Sequence, residues 1–188
     1  MNKVRCPWVP EGKEFYVQYH DTEWGVPLHN DQKIFEFLCL ESAQAGLSWE
    51  TILKKREGYR KAFKNFDPRK VAKMSEVDVE ILLQNPNIVR NRAKINATIN
   101  NAHHFLTIQK EFGSFDTYMW NFVQHKPISH AITSLKDYPE TISEAELFAK
   151  DLKNRGFAFL GPKTVYAHMQ ATGMVNDHSM ECFRRTEV

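Results

Sequence analysis

The stretch that decides the fold is DQKIFEFLCLESAQAGLSW, Asp31 to Trp49. At 3.6 residues per turn Ile34, Leu38, Glu41 and Ala45 share one face, while Phe35, Phe37, Cys39 and Leu40 make the other faces apolar too. A helix apolar almost all round is a buried helix. Asn30 or Asp31 is placed to cap it, the pattern ends near Gly46, and Ser48 is placed to cap the helix that follows. Glu41 then stands where an ionisable group is costly, because a buried carboxylate must find donors or take up a proton. Two readings stay open on burial alone: a structural partner such as Arg, Tyr or backbone amides, or a ligand.

Working outward, the 188 residues suffice for one substantial core, so a single domain over residues 1–188 is expected. No apolar run approaches the roughly 18 residues that a membrane span needs. The opening MNKVRCPWVPEGKEF lacks the apolar core of a secretory signal. Three widely spaced cysteines argue against a disulfide framework and for a reducing compartment, so the expected location is cytoplasmic. A monomer is the default at this size.

Upstream, a helix over residues 14–20 would put Tyr16, Tyr19 and His20 on one surface, and Trp24-Gly25-Val26-Pro27 is a turn signal. Downstream, Trp49, Ile52, Leu53, Tyr59 and Phe63 give an amphipathic helix. Asp67-Pro68 opens a further helical turn, and Ser75 with Asp78 caps a short helix through Leu83. Gln84 to Ile88 is a tight hairpin, and a long helical pattern then runs to Phe112 before Gly113. The unit is a helix-hairpin-helix over approximately residues 75–112, whose outward amides and second helix N-terminus suit a phosphate.

Asn87, Arg90, Arg92 and Lys94 lie at that point and are the candidate DNA contacts. Cations there oppose the helix macrodipole, so they serve something other than helix stability, unless they are merely a solvated basic end. Asn85 and Asn87 stand where glycine would be the easier residue at positive φ. The net charge of +2 does not by itself argue for nucleic acid, although the cations cluster in the middle third.

Further on, Phe115 to Phe122 reads as a short helix, and Ser143 to Glu146 as a capping box for a helix ending at Asn154-Arg155-Gly156. Gly161-Pro162 begins a helix through Ala171 closed by Gly173, and Asn176-Asp177 caps a last helix. Only Phe157 to Leu160 alternates like a strand. The expected class is all-α, a compact helical domain.

On that last helix His178 and Cys182, four apart, would share a face, and Cys6 and His20 are the natural second pair. A Cys2His2 set selects Zn2+, and four protein ligands argue for a structural rather than a catalytic ion joining the two termini. Spacing leaves open that these are unrelated surface histidines and buried thiols.

The segments RCPWV, YHDTEWGVP, LESAQAGLSWETILKKREGYRKAF, NIVRNRAKI and NDHSMEC together resemble the bacterial DNA-3-methyladenine glycosylase I family of the helix-hairpin-helix superfamily. The resemblance covers essentially the whole chain. It implies a mostly α-helical fold, structural zinc on Cys6, His20, His178 and Cys182, and removal of 3-methyladenine from double-stranded alkylated DNA. Free 3-methyladenine and an abasic site would be the products, with no strand cleavage. By resemblance Glu41 accepts hydrogen bonds from the base, Tyr19 assists and Trp49 stacks. Tyr16, Trp8 and Trp24 are the other aromatics for the pocket. Gln44-Ala45-Gly46-Leu47 matches the segment that fills the gap left in the duplex, with Gly46 and Leu47 as DNA contacts and Leu47 as the expected apolar wedge. No aspartate follows the hairpin closely, Asp116 being the nearest downstream. A DNA-binding module without catalysis and a zinc hydrolase of a small molecule are the competing readings.

Overall fold

The structure, a computed structural model, describes residues 3–188. It is predominantly helical. In chain order the helices are α1 (Glu14–Thr22), α2 (Asp31–Gln44), α3 (Trp49–Ala62), α4 (Pro68–Val71), α5 (Glu76–Leu83), α6 (Arg92–Phe112), α7 (Phe115–Trp120), α8 (Ser143–Asn154) and α9 (Pro162–Ala171). Two short strands, β1 (Ile128–Ser129) and β2 (Val175–Asn176), pair in parallel, Ile128 against Val175 and Ser129 against Asn176.

α2 is the central element and packs on α3, α6, α7 and α9. Every residue from Ile34 to Ala43 is buried, as an all-round apolar helix requires. Phe35 stacks edge-on against Phe105 of α6, and truncating such a side chain to alanine costs about 3–5 kcal/mol. Asn30 caps α2 by accepting from the Lys33 amide at 3.0 Å. Asp31 serves the neighbouring helix instead. Its carboxylate accepts the amides of Phe115 and Asp116 at 2.8 and 2.9 Å, holding the first turn of α7 against α2.

Local signals locate most other helix ends. Ser48 caps α3, Asp67 caps α4, and Ser75 and Asp78 form the capping box of α5. The expected capping box at Ser143 does not form: Ile142 occupies the N-cap, and Ser143 is already the first helical residue with its hydroxyl on Glu144.

Residues 157–160 are not a strand either. Asn101 of α6 bonds both the amide and the carbonyl of Ala158, at 2.8 and 3.0 Å, and fixes this connection as a loop.

The largest correction concerns the C-terminus. No α-helix follows Asn176; β2 leads into an extended segment and a turn, and only Phe183–Thr186 coils again, as a 3-10 turn. The cause is burial of Asp177, whose carboxylate accepts from Tyr166, from Gln170 at 2.7 Å and from His130 at 2.7 Å. Those tertiary bonds outcompete a local cap. The tail is further tied down where Phe183 donates to the Val4 carbonyl at 3.0 Å.

α5 and α6 form a helix–turn–helix through residues 84–91, and α8 and α9 form a second through residues 155–161. In the first turn neither Asn85 nor Asn87 has positive φ. Asn85 instead accepts the Asn87 amide through its side chain at 2.9 Å.

Candidate active site

A cavity of about 200 Å³ opens between α1, α2, α3 and α9, lined by Trp8, Tyr16, Tyr19, Trp24, Glu41 and Trp49 together with Gln44, Tyr138, Ala167 and Gln170. All six residues expected at the base pocket therefore meet in one place. α1 brings Tyr16 and Tyr19, α2 brings Glu41, and Ser48 starts α3 so that Trp49 faces back across the slot. The Tyr19 and Trp49 rings lie 5.5 Å apart, Trp8 and Trp24 pack edge-on at 4.8 Å, and Trp8 meets Tyr16 at 6.0 Å.

Glu41 is 4% exposed, and its carboxylate makes no hydrogen bond among the described residues. Burial pushes its pKa up to about 8, so the ionised form is held back by desolvation alone. Burial, and next the Glu41 charge, keep the Tyr19 phenol well above its ordinary value. Among the described residues the indole N–H groups of Trp8 and Trp49 and the Tyr138 hydroxyl are also buried without hydrogen-bond partners. Unpartnered polar atoms of this kind, gathered on one small aromatic slot, mark a ligand site rather than a satisfied core.

The other four lining residues lie outside the set expected from sequence. Gln44 follows Glu41 by one turn, a signal available in principle. Ala167 and Gln170 reach the slot only because α9 packs on α2, and Tyr138 reaches it from a loop, which no local pattern announces. Gln170 donates its amide N–H to the acceptor-only Asp177 at 2.7 Å.

Behind the slot lies the second cluster. Cys6, His20, His178 and Cys182 are all buried, with their ligand atoms within 4.8 Å of one another. His20 Nε2 is 3.4 Å from Cys182 Sγ, and His178 Nδ1 is 3.4 Å from Cys6 Sγ and 3.5 Å from Cys182 Sγ. Metal–ligand arms of about 2.0–2.3 Å at tetrahedral angles place ligand atoms about 3.5 Å apart, so this set fits one tetrahedral ion. The outward nitrogens are also fixed: His20 Nδ1 donates to Asp21 at 2.8 Å, and His178 Nε2 donates to the Trp24 carbonyl at 3.1 Å. Arg5 in turn clamps Asp21, at 2.8 Å. His178 and Cys182 come together through a turn closed by the Cys182 amide on the Ser179 carbonyl, not along one helix face.

The expected DNA contacts divide. Gly46 and Leu47 form the exposed turn after α2, with Gly46 at φ +75° and Leu47 40% exposed. Beside them lie Lys163 and Thr164, in the first turn of α9. Asn87 and Arg90 are both exposed at the first helix–turn–helix, and Arg90 has no ion-pair partner among the described residues. Arg92 pairs with Glu76 and Glu80, and Lys94 bonds backbone carbonyls at the end of α2. Asp116 is engaged with His29 at 2.8 Å.

A helical chain that walls a flat slot with aromatic rings around one buried carboxylate has the architecture of a nucleobase-binding enzyme. The chain belongs to the methyladenine glycosylase family, whose sequence model matches residues 8–185. It is 47% identical to the DNA-3-methyladenine glycosylase of Haemophilus influenzae over 179 residues, 95% of this chain and 96% of that one. Identity to DNA-3-methyladenine glycosylase 1 of Escherichia coli is 48% over 178 residues, 95% of each chain. The solved 3-methyladenine DNA glycosylase I of Staphylococcus aureus, described for the basis of its 3-methyladenine recognition, superposes with a TM-score of 0.93 at 40% identity, covering 96% of both chains. The protein is accordingly an enzyme acting on N-glycosyl bonds, in base excision repair. No helix among the described residues is long and apolar enough to cross a membrane.

Proposed function

We propose that the protein flips 3-methyladenine out of double-stranded alkylated DNA and hydrolyses its N-glycosidic bond, leaving free base and an abasic site without cutting the strand. The observation that carries this reading is Glu41, buried in an aromatic slot and without a hydrogen-bond partner among the described residues. A nucleoside methylated at N3 of adenine is a cation, so its bond to the sugar is weakened before the enzyme acts. The same charge favours the ionised Glu41 that burial disfavours, and a neutral base offers no such return.

Glu41 accepts hydrogen bonds from the adenine edge and Tyr19 assists. A base that cannot donate there leaves the carboxylate unpaired and is rejected. Trp49 stacks on the ring, with a cation–π contribution of about 0.5–2 kcal/mol, and Tyr16, Trp8 and Trp24 close the slot. The base departs with the bonding electron pair as neutral 3-methyladenine, water adds to the sugar carbon, and its proton passes to solvent.

Leu47 acts as the apolar wedge in the vacated stack. Asn87 and Arg90 at the first helix–turn–helix grip the backbone. A second grip is the start of α9, where Gly161 opens the helix without a side-chain cap beside the wedge turn. Zinc is the metal this cysteine–histidine set suits; Cys6, His20, His178 and Cys182 would hold it, and it would crosslink the two segments behind Trp8 and Trp24.

The test is to incubate methylated duplex DNA with the protein and chromatograph the released bases. Release of 3-methyladenine above the spontaneous rate is expected, and its absence overturns the proposal.

A further inference from the structure

Lys94, in the first turn of α6, reaches across to the end of α2. Its Nζ donates to the carbonyl oxygens of Ala43 at 2.9 Å and Ala45 at 2.6 Å. Carbonyls at a helix end lack intrahelical partners and form the negative pole of the macrodipole, so an ammonium group there is stabilising for α2 even though it is unfavourable at the start of α6. Beyond that point Ala45 turns out of the helix, Gly46 follows at φ +75°, and Leu47 projects 40% exposed. Two local backbone bonds close the turn, Ala45 to Ser42 and Leu47 to Gln44. Among the described residues Lys94 is the only side chain that bonds the backbone of residues 43–47.

We propose that Lys94 is a positioning residue that holds the Ala45–Leu47 turn in the shape presenting Leu47, and is not a phosphate contact. Both acceptors are neutral carbonyls, and the ammonium group is partly buried, where desolvation lowers its pKa. α6 begins where the turn of residues 84–91 ends, so Lys94 makes the element that grips the backbone and the element that enters the stack into one mechanical unit. The inference rests on the reading of Leu47 as the wedge.

The experiment compares K94M, K94R, L47A and the K94M/L47A pair. In K94M, amide hydrogen exchange at residues 44–48 of the free protein should accelerate, as a turn that has lost its brace opens locally. Single-turnover release of 3-methyladenine from duplex should fall about tenfold, with free-base affinity held within about twofold. The salt dependence of binding to undamaged duplex should keep its slope, whereas loss of a phosphate contact would lower it by about one. K94R should restore exchange protection and most of the rate, and K94M should add little to the loss caused by L47A. Unchanged exchange in K94M, or a reduced salt slope, overturns the proposal. Full release by L47A overturns the wedge reading alone, because the exchange measurement does not depend on it.

Discussion

Gly25 lies so close to His178 that a Cβ built on it would sit 2.7 Å from the ring Nε2, the nitrogen that donates to the Trp24 carbonyl. Gly25 also has φ +79°, where a side chain is strained. G25A should therefore displace His178 from the cluster, lower the bound-metal content and destabilise the fold by about 2 kcal/mol or more. Elemental analysis and thermal unfolding check this; full metal content with an unchanged melting point would contradict it.

The raised pKa of Glu41 makes stability depend on pH. Its folded value of about 8 lies above the ordinary 4.5, so between those values the native state holds a proton that the unfolded state has released. Stability from this group is complete below about pH 4.5 and is lost as pH rises through about 8. E41Q removes the titration. The variant should melt above the wild type at pH 8, by up to a few kcal/mol, with the gap shrinking toward pH 5. Affinity for free 3-methyladenine should fall despite the added stability. Equal melting at both pH values would refute this account of Glu41.

The cysteine–histidine cluster can be separated from the chemistry. Trp8 packs edge-on against His20 at 5.3 Å and Trp24 against His178 at 4.6 Å, so the cluster braces one wall of the slot. Chelation should lower thermal stability and loosen base binding together, because metal binding is folding free energy in a site of this kind. Substitution of cobalt for zinc should leave the rate of base release nearly unchanged. A rate that followed the identity of the metal at constant stability would instead place the ion in the reaction.

Arg90 and Arg92, two residues apart, should behave differently. Arg90 has no ion-pair partner among the described residues, whereas Arg92 joins Glu76 and Glu80 between α5 and α6. R90Q should weaken duplex binding and reduce the salt slope by about one. R92Q should leave the slope unchanged and lower stability only slightly, as loss of exposed ion pairs does. Salt titrations of DNA affinity and denaturant melts distinguish the two.

Much of the site is legible in the sequence because it is encoded locally. α2, Ser48 and Trp49 follow from periodicity and a cap, and together with α1 they bring Tyr16, Tyr19, Glu41 and Trp49 to the slot. What the sequence hides depends on partners far along the chain. The C-terminal helix fails because Asp177 finds Tyr166, Gln170 and His130, and the loop of residues 157–160 takes its shape from Asn101. Lys94 reads as a phosphate ligand from its place at a helix start, yet its acceptors lie about fifty residues earlier, on Ala43 and Ala45. His178 and Cys182 do meet, but a turn rather than a shared helix face aligns them.

Because Cys6 and His20 meet His178 and Cys182, the wall carrying Trp8 is braced by residues more than 150 positions apart in the chain. The brace behind Trp8 and Trp24 thus draws one pair of its residues from each side of the core, so loss of either pair would slacken the same wall of the slot.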